Sequence, residues 1–124
     1  MKLLLDTHVV LWWLAGDRRL GADVKQLIDH EPDVFVSSAS IWEISVKQAR
    51  GKLEGPDDLP ERVLGSGLVV LDITGRHGLA AGRLPLVHRD PFDRMLVAQA
   101  TLEELTLVTA DRQVQLYDVP ILKV

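Results

Sequence analysis

Short apolar runs alternate with amphipathic segments along the whole chain. The runs at Lys2–Leu5 and Asp33–Ser37 have the length and composition of buried strands. Between them, Val24, Leu27 and Ile28 recur at helical spacing and mark the apolar face of a helix. The complete pattern predicts strands at Lys2–Leu5, Asp33–Ser37, Leu68–Leu71 and Leu105–Thr109, with Pro120–Val124 as a candidate edge strand.

Helix start and stop signals divide the segments between the strands. Pro91 suits the first turn of a helix, where its missing N–H costs nothing, and Gly51 marks a helix end. Ser38 or Ser40, and Asp57, are candidate N-caps. Helices are predicted from Thr7 or His8 to Leu14, over Gly21–His30, from Ser38 or Ser40 to Arg50, and over Asp57–Leu64, Thr74–Ala81, Pro91–Leu102 and Asp111–Tyr117.

This order of elements indicates the fold class. Strands separated by helices imply right-handed crossovers and a mostly parallel sheet. We therefore predict an α/β protein with three layers, α/β/α, around a mostly parallel central sheet. The 124 residues suit one domain, residues 1–124, without repeats or a linker.

The charge balance argues against a protein that grips nucleic acid through a basic surface. There are 14 Lys and Arg residues against 18 Asp and Glu residues, a net charge of −4, which is the wrong sign for such binding. A nucleic-acid function would therefore need the acids to be gathered on a divalent cation. The absence of cysteine excludes thiolate metal sites, and no apolar run approaches the ~20 residues of a membrane span. We expect a soluble, cytoplasmic protein with no membrane association.

Four acids from distant parts of the chain are predicted to meet at one edge of the sheet. Asp6 directly follows the first strand, and Asp111 comes just after the fourth. Glu43 lies about one turn into the helix after the second strand, and Asp93 lies in the first turn of a later helix. In open parallel sheets, ligands bind at the carboxyl ends of the strands, where the following helices begin.

Such a cluster suits a magnesium ion. Crowded carboxylates repel one another unless a cation lies between them, and Mg²⁺ prefers oxygen ligands. A bound ion can also orient a water and offset charge on a phosphate. Each acid has a structural interpretation as well: Asp6, Asp93 and Asp111 as helix caps or first-turn acids, and Glu43 as a surface ion pair with Lys47. The set as a whole favours the metal site.

The segments around these acids resemble a known family. They are Leu4–His8 (LLDTH), Ser37–Ile44 (SSASIWEI) with Lys47, Asp90–Ala100 (DPFDRMLVAQA) and Leu107–Asp111 (LVTAD). In order, spacing and length the chain resembles the PIN-domain family and, within it, the VapC-type toxins of type II toxin–antitoxin systems. The resemblance implies a Mg²⁺- or Mn²⁺-dependent endoribonuclease that leaves 5′-phosphate ends. It also implies a homodimer, and inhibition by a cognate antitoxin that presses a basic side chain into the acidic site.

The resemblance assigns the four acids of the family to Asp6, Glu43, Asp93 and Asp111, and it selects Asp93 over Asp90. Asp6, Asp93 and Asp111 would hold the metal, and Glu43 would ligate it or position the attacking water. Three residues are expected to support them: Thr7 and Thr109 through hydroxyl hydrogen bonds, and Asp90 as a helix cap. Candidate phosphate contacts are Lys47, Arg50, Arg89, Arg94 and Arg112.

Other residues are expected to be structural. Trp12 and Trp13 lie among leucines, which favours packing over base stacking. His8 and His88 flank acidic motifs, but Mg²⁺ prefers oxygen and neither histidine has a partner at ligand spacing.

Two other functions are open: a Mg²⁺-binding signalling module of the receiver type, and a protein-binding α/β module without nuclease activity whose acids only cap helices. A receiver domain needs an acidic pair after the first strand, where this chain has only Asp6, and a lone Asp after the third, where it has Asp72. A phosphatase of the haloacid-dehalogenase type is excluded, because His8 stands where its second Asp is required.

Overall fold

Five parallel strands form one sheet at the centre of the molecule. A computed structural model describes all residues, 1–124. The strands lie in the order β3-β2-β1-β4-β5, and every neighbouring pair is parallel. They are β1 (Lys2–Leu5), β2 (Asp33–Ser37), β3 (Val69–Leu71), β4 (Thr106–Thr109) and β5 (Ile121–Lys123). The helices are α1 (Thr7–Ala15), α2 (Ala22–His30), α3 (Ser38–Ala49), α4 (Leu59–Leu64), α5 (Gly75–Gly82) and α6 (Pro91–Leu102).

The alternation of side chains along β1 separates two cores. Successive residues of a strand point to opposite faces of the sheet. Leu3 and Leu5 are fully buried in one cluster, which includes residues of α1, α2, α3 and α4. Leu4 is fully buried in the other, which includes residues of α6. Helices therefore cover both faces of the sheet, and the predicted three-layer α/β/α fold is confirmed.

The strand order creates a crevice beside β1. The chain runs from β1 through β2 to β3 on one side of the sheet, and then crosses to β4 on the other side. Such a reversal leaves an opening at the carboxyl ends of the two strands that flank it, here β1 and β4. Helix α3 begins at this edge because it follows β2. Helix α6 begins there because it must run back to the start of β4.

The predicted final helix, Asp111–Tyr117, is wrong. Only a 3₁₀ turn forms, at Val114–Leu116. The Asp111 carboxylate accepts hydrogen bonds from the backbone N–H groups of Gln113 and Val114 at 2.8 and 3.2 Å, which closes a tight turn. The chain must then reach the edge strand β5 within a few residues, so a longer helix has no room. The predicted edge strand itself is present.

Two predicted helix caps differ by one residue from those observed. Helix α3 is capped by Ser37, whose hydroxyl accepts from the N–H of Ala39 at 3.0 Å. The N-cap position of α4 is Asp58 rather than Asp57, and it makes no side-chain capping bond. No helix is both long and apolar enough to cross a membrane.

Candidate metal site

Asp6 is fixed at the end of β1 by two hydrogen bonds. Its Oδ1 accepts from the N–H of Val9 at 2.9 Å, which caps α1. Its Oδ2 accepts from the hydroxyl of Thr109, and the same hydroxyl oxygen accepts from the N–H of Asp111 at 3.0 Å. One threonine thus ties the end of β4 to the end of β1 and brings Asp111 beside Asp6. Asp6 therefore caps α1 with one oxygen and lies beside Asp111 with the other.

Glu43 is buried and held from both sides. Its Oε1 accepts from the hydroxyl of Thr7 at 2.6 Å, and that hydroxyl oxygen also lies 2.9 Å from the Ser40 Oγ. Its Oε2 accepts from Lys47 Nζ at 2.6 Å. The expected pair with Lys47 therefore exists, but the carboxylate is only 3% exposed, so it is not a surface pair. A buried carboxylate without these donors would be costly.

Asp93 stands in the first turn of α6, opposite a histidine. Its Oδ2 lies 2.8 Å from Nε2 of His88, and the same nitrogen lies 3.8 Å from Oδ2 of Asp111. Asp90 caps α6, as expected, since its Oδ1 accepts from the N–H groups of Phe92 and Asp93 at 2.9 and 3.3 Å. The second oxygens of Asp90 and Asp93 accept no hydrogen bond from the protein.

The site therefore has two sides. We call Asp6, Thr7, Glu43 and Thr109 the strand side, because they lie at the ends of strands or on helices that directly follow strands. We call His88, Asp90 and Asp93 the loop side, because they lie on or next to the segment that joins α5 to α6. Asp111 contacts both sides, through its N–H and through its Oδ2.

The carboxylates are close enough to perturb one another. Burial raises the pKa of Asp93 from its ordinary 3.8 to about 6, and the negative charges of Asp90, Asp111 and Glu43 add to this effect, while the hydrogen bond with His88 opposes it. Burial also raises the pKa of Asp6, against the hydrogen bonds from Thr109 and Val9. The four acids predicted from the sequence thus converge on one place.

Lys47 lies within the same electrostatic field. The hydrogen bond to Glu43 is the main reason that the pKa of the Lys47 ammonium is raised, and the charges of Asp90 and Asp93 raise it further. The strand side and the loop side therefore both face this cation. It offsets part of the negative charge, but one ammonium stands against five carboxylates.

The donor set fits a divalent cation. Carboxylate oxygens are the ligands that Mg²⁺ and Mn²⁺ accept, and a cation relieves the repulsion between them that adds to the effect of burial on the pKa of Asp93. Ligand atoms of His88, Asp90 and Asp93 lie within 4.8 Å of one another. Free lone pairs remain, because an oxygen that accepts one hydrogen bond keeps a second.

The candidate phosphate contacts do not form one group. Arg50, Arg89 and Arg112 are exposed, and Lys47 is paired with Glu43. Arg94 is occupied elsewhere, because its guanidinium donates to the carbonyls of four residues and to the Tyr117 hydroxyl. The four carbonyls belong to Ala81, Leu84, Pro85 and His88, at 2.9, 3.1, 3.1 and 3.2 Å. This geometry favours a structural role for Arg94 over the predicted phosphate contact.

His88 is the residue of the site that the sequence interpretation missed. It was expected to be structural, yet its imidazole faces Asp93 and Asp111. The available signal was its place two residues before Asp90 and five before Asp93, next to the acidic motif. His8 is exposed and its ring lies 6.0 Å from that of Trp12. Trp12 and Trp13 pack against the core, which confirms their expected role.

Comparison with known proteins agrees with this geometry. The family model of the PIN domain matches residues 3–121. Ribonuclease VapC22 of Mycobacterium tuberculosis is 32% identical over 116 residues, which cover 91% of this chain and 89% of the relative. These matches span nearly all of the elements that build the site.

Solved structures share the fold at lower identity. VapBC2 from Rickettsia felis, solved bound to a DNA fragment from its promoter, superimposes with a TM-score of 0.75 at 15% identity, covering 99% of this chain and 98% of that one. A toxin–antitoxin complex from Klebsiella pneumoniae gives 0.71 at 19% identity, covering 98% and 97%.

The fold and the acidic crevice define an α/β protein with a cluster of carboxylates at the carboxyl ends of its parallel strands. The chain belongs to the PIN-domain family, and its resemblance to the VapC type is confirmed by a relative of that name.

Proposed function

We propose that this protein is a metal-dependent endoribonuclease that hydrolyses RNA phosphodiester bonds, and that it is the toxin of a toxin–antitoxin pair. The observation that carries the proposal is the convergence of Asp6, Glu43, Asp93 and Asp111 at the crevice between β1 and β4 in a PIN-domain chain. The relative named a ribonuclease supports RNA as the substrate.

Each residue of the site has a separate role in this proposal. Asp6, Asp93 and Asp111 hold Mg²⁺ or Mn²⁺, directly or through water. When bound, the ion supplies a water of lowered pKa and offsets charge on the phosphate. Thr109 keeps Asp6 oriented, since its hydroxyl leaves the carboxylate little freedom to rotate.

Glu43 orients the attacking water or ligates the ion, held in place by Thr7 and Lys47. Asp90 caps the helix that presents Asp93. Arg50, Arg89 and Arg112 are the exposed cations left to contact RNA phosphates.

The test is RNA cleavage by the purified protein in Mg²⁺, in Mn²⁺ and in EDTA. We expect cleavage only with a divalent ion, and products that a 5′-phosphate-dependent exonuclease degrades. Asp111→Asn is the control, because asparagine keeps an oxygen for the turn at Gln113 while losing the charge. Cleavage that persists in EDTA, or in Asp111→Asn, would contradict the proposal.

The alternative is a Mg²⁺-binding signalling module or a protein-binding α/β module without nuclease activity. A preformed site raises the unfolding temperature when its ion is added, whatever its function. Stabilisation by Mn²⁺ without cleavage of any RNA would therefore favour a module. Labelling of Asp72 by a small phosphodonor would identify it as a signalling one.

We further propose a cognate antitoxin as the partner, in line with the toxin–antitoxin complexes among the structural neighbours. A cleft of about 580 Å³ lies along α1. His8, two residues after Asp6, is one of the residues that line it. Its apolar lining consists of Leu11, Trp12, Leu14, Leu53, Pro56 and Leu59, with Ala15 beside them. An apolar antitoxin segment would fill it and direct a basic side chain to the acids. Leu14→Asp should abolish inhibition by a copurifying antitoxin, and the exposed-site control Leu116→Asp should not.

We also propose a homodimer. Trp42 is 61% exposed and its ring lies 5.0 Å from that of Phe92, edge to face. Two adjoining aromatic rings form a contiguous apolar patch, and such patches, unlike single exposed side chains, mark association surfaces. Light scattering at micromolar concentration should give twice the chain mass, and Trp42→Asp should halve it. A wild-type monomer would contradict the proposal.

A further inference from the structure

His88 presents a ring nitrogen to the site at ligand distance from two of its acids. Its Nε2 lies 2.8 Å from Asp93 Oδ2 and 3.8 Å from Asp111 Oδ2. The side chain is only 14% exposed, so the nitrogen points into the site and away from bulk solvent. It is a nitrogen atom beside the carboxylate oxygens of Asp93 and Asp111.

The position of His88 is imposed by the surrounding structure, although it lies outside any helix or strand. Its N–H donates to the hydroxyl of the buried Tyr117 at 3.0 Å, and that hydroxyl donates to the carbonyl of Pro85 at 3.0 Å. Its carbonyl accepts from Arg94 at 3.2 Å. The side chains of Tyr117, 29 residues away, and of Arg94, six residues away on α6, thus fix the backbone of this one residue, and with it the direction of the imidazole.

The second observation concerns the three candidate ligand atoms on the loop side. Those of His88, Asp90 and Asp93 lie within 4.8 Å of one another. The second oxygens of Asp90 and Asp93 accept nothing from the protein. An ion held near these atoms would be within reach of the imidazole as well as the carboxylates.

We propose that His88 is a nitrogen ligand of the metal ion and sets its identity, so that the site prefers Mn²⁺ over Mg²⁺. This inference rests on the proposed function, in which Asp93 and Asp111 hold the ion. Mn²⁺ is a first-row transition ion and accepts an imidazole nitrogen, although less strongly than Fe²⁺, Ni²⁺, Cu²⁺ or Zn²⁺, whereas Mg²⁺ demands oxygen ligands and retains its waters. To ligate the ion, Nε2 must present its lone pair, so it would exchange its hydrogen bond to Asp93 for the bond to the metal.

The direct test is pulsed electron paramagnetic resonance of the protein loaded with Mn²⁺. We expect modulation from a directly coordinated nitrogen in the wild type and its loss in His88→Gln. The matched control is His8→Gln, which removes the exposed imidazole two residues from Asp6 and should keep the signal. Circular dichroism and thermal unfolding establish that each variant is folded.

Metal selectivity gives a second measurement. Calorimetric titration should show that His88→Gln lowers the affinity for Mn²⁺ by at least about tenfold, the effect of removing even an outer partner of a metal ligand, and lowers the affinity for Mg²⁺ by less. His8→Gln should leave the ratio of the two affinities unchanged.

The outcomes separate this inference from the proposed function. Bound Mn²⁺ with only oxygen ligands in the wild type, or an unchanged ratio in His88→Gln, overturns the inference and leaves a metal-dependent nuclease intact. In that case His88 is a positioning residue that hydrogen-bonds Asp93. Failure of the wild type to bind either ion overturns both.

Discussion

The strand side and the loop side of the site reach the same edge of the sheet by different means. On the strand side, Asp6 and Thr109 are at most 5% exposed, and each lies at or directly after the end of a strand. On the loop side, Asp93 depends on the start of α6 and His88 on a segment without regular structure. Sheet pairing fixes the first group, whereas side-chain bonds to backbone carbonyls fix the second.

The two sides of the site should therefore respond differently to amino-acid substitutions. Strand ends are held by ladders of backbone hydrogen bonds, so a substitution there changes the metal-binding side chain without moving the backbone. The loop side rests on two side chains that are not part of the acidic cluster, Arg94 and Tyr117, so a substitution that changes none of the acids can displace it. Removing a carboxylate and removing a side chain that positions the loop should therefore have distinguishable effects.

The largest effect is expected for Asp6→Asn on the strand side. It should lower RNA cleavage by more than about 100-fold, which is the upper range for losing a mere outer partner of a metal ligand. Folding should be retained, because the amide oxygen can still accept from the N–H of Val9. Steady-state cleavage rates and far-ultraviolet circular dichroism check the two halves of this prediction. Undiminished turnover would show that Asp6 is not part of the metal site.

On the loop side, Arg94→Met should destabilise the protein by about 2 kcal/mol, because four carbonyls and the Tyr117 hydroxyl lose a charged donor together. Urea unfolding measures this loss. Arg112→Met, at an exposed arginine next to Asp111, is the matched control and should change stability by no more than about 0.5 kcal/mol. Equal stability of the two variants would show that Arg94 does not hold the loop.

The sequence predicted the strand side far better than the loop side, for a physical reason. A strand end can be read from a short apolar run, and parallel strands place all their ends at one edge. Asp6 and Asp111 therefore followed from local pattern alone. The place of His88 depends on Tyr117, 29 residues away, and on the guanidinium of Arg94. The hydrophobic periodicity of the sequence carries no information about such contacts. From the sequence alone, His88 is therefore assigned a structural role and Arg94 a phosphate contact.

The same limit explains the error at the C-terminal end. The pattern of Asp111–Tyr117 is compatible with a helix, but Asp111 uses its Oδ1 to close a turn. Its other oxygen faces His88. The same pattern of bonds at Asp90 opens the helix α6, so the turn alone does not prevent a helix. The helix is cut short because the chain must enter the edge strand β5 at Ile121, and local propensity does not contain that constraint.

A smaller effect is expected for Thr109→Val, which keeps the shape of the side chain and removes the hydroxyl shared by Asp6 and Asp111. Divalent-ion affinity should fall by about tenfold, as for the loss of a supporting hydrogen bond in other metal sites. Thr106→Val, on the same strand and without a side-chain hydrogen bond, is the control. Calorimetry with Mn²⁺ compares them, and equal affinities would mean that Thr109 does not orient Asp6.

The smallest effect concerns the pH dependence of stability without metal. The pKa of Asp93 is raised in the folded state, from 3.8 to about 6, so between these values the folded protein binds more protons than the unfolded chain. Stability should therefore fall as pH rises from about 4 to about 6, and then level off with respect to this group. We expect a change on the order of 1 kcal/mol, less than the full shift implies, because neighbouring carboxylates share the proton.

Asp93→Asn should reduce this slope to the part that Asp6 contributes, since asparagine has no proton to lose and the pKa of Asp6 is also raised by burial, while Asp23→Asn on the exposed part of α2 should retain the full slope. Urea unfolding across the pH range, in EDTA, measures both. Added Mn²⁺ should reverse the sign for the wild type, because the ion binds the ionised carboxylate and its stabilisation grows as protons leave. If the reversal were also seen in Asp93→Asn, the ion would be held by the strand side alone, and the loop side would have no part in binding it.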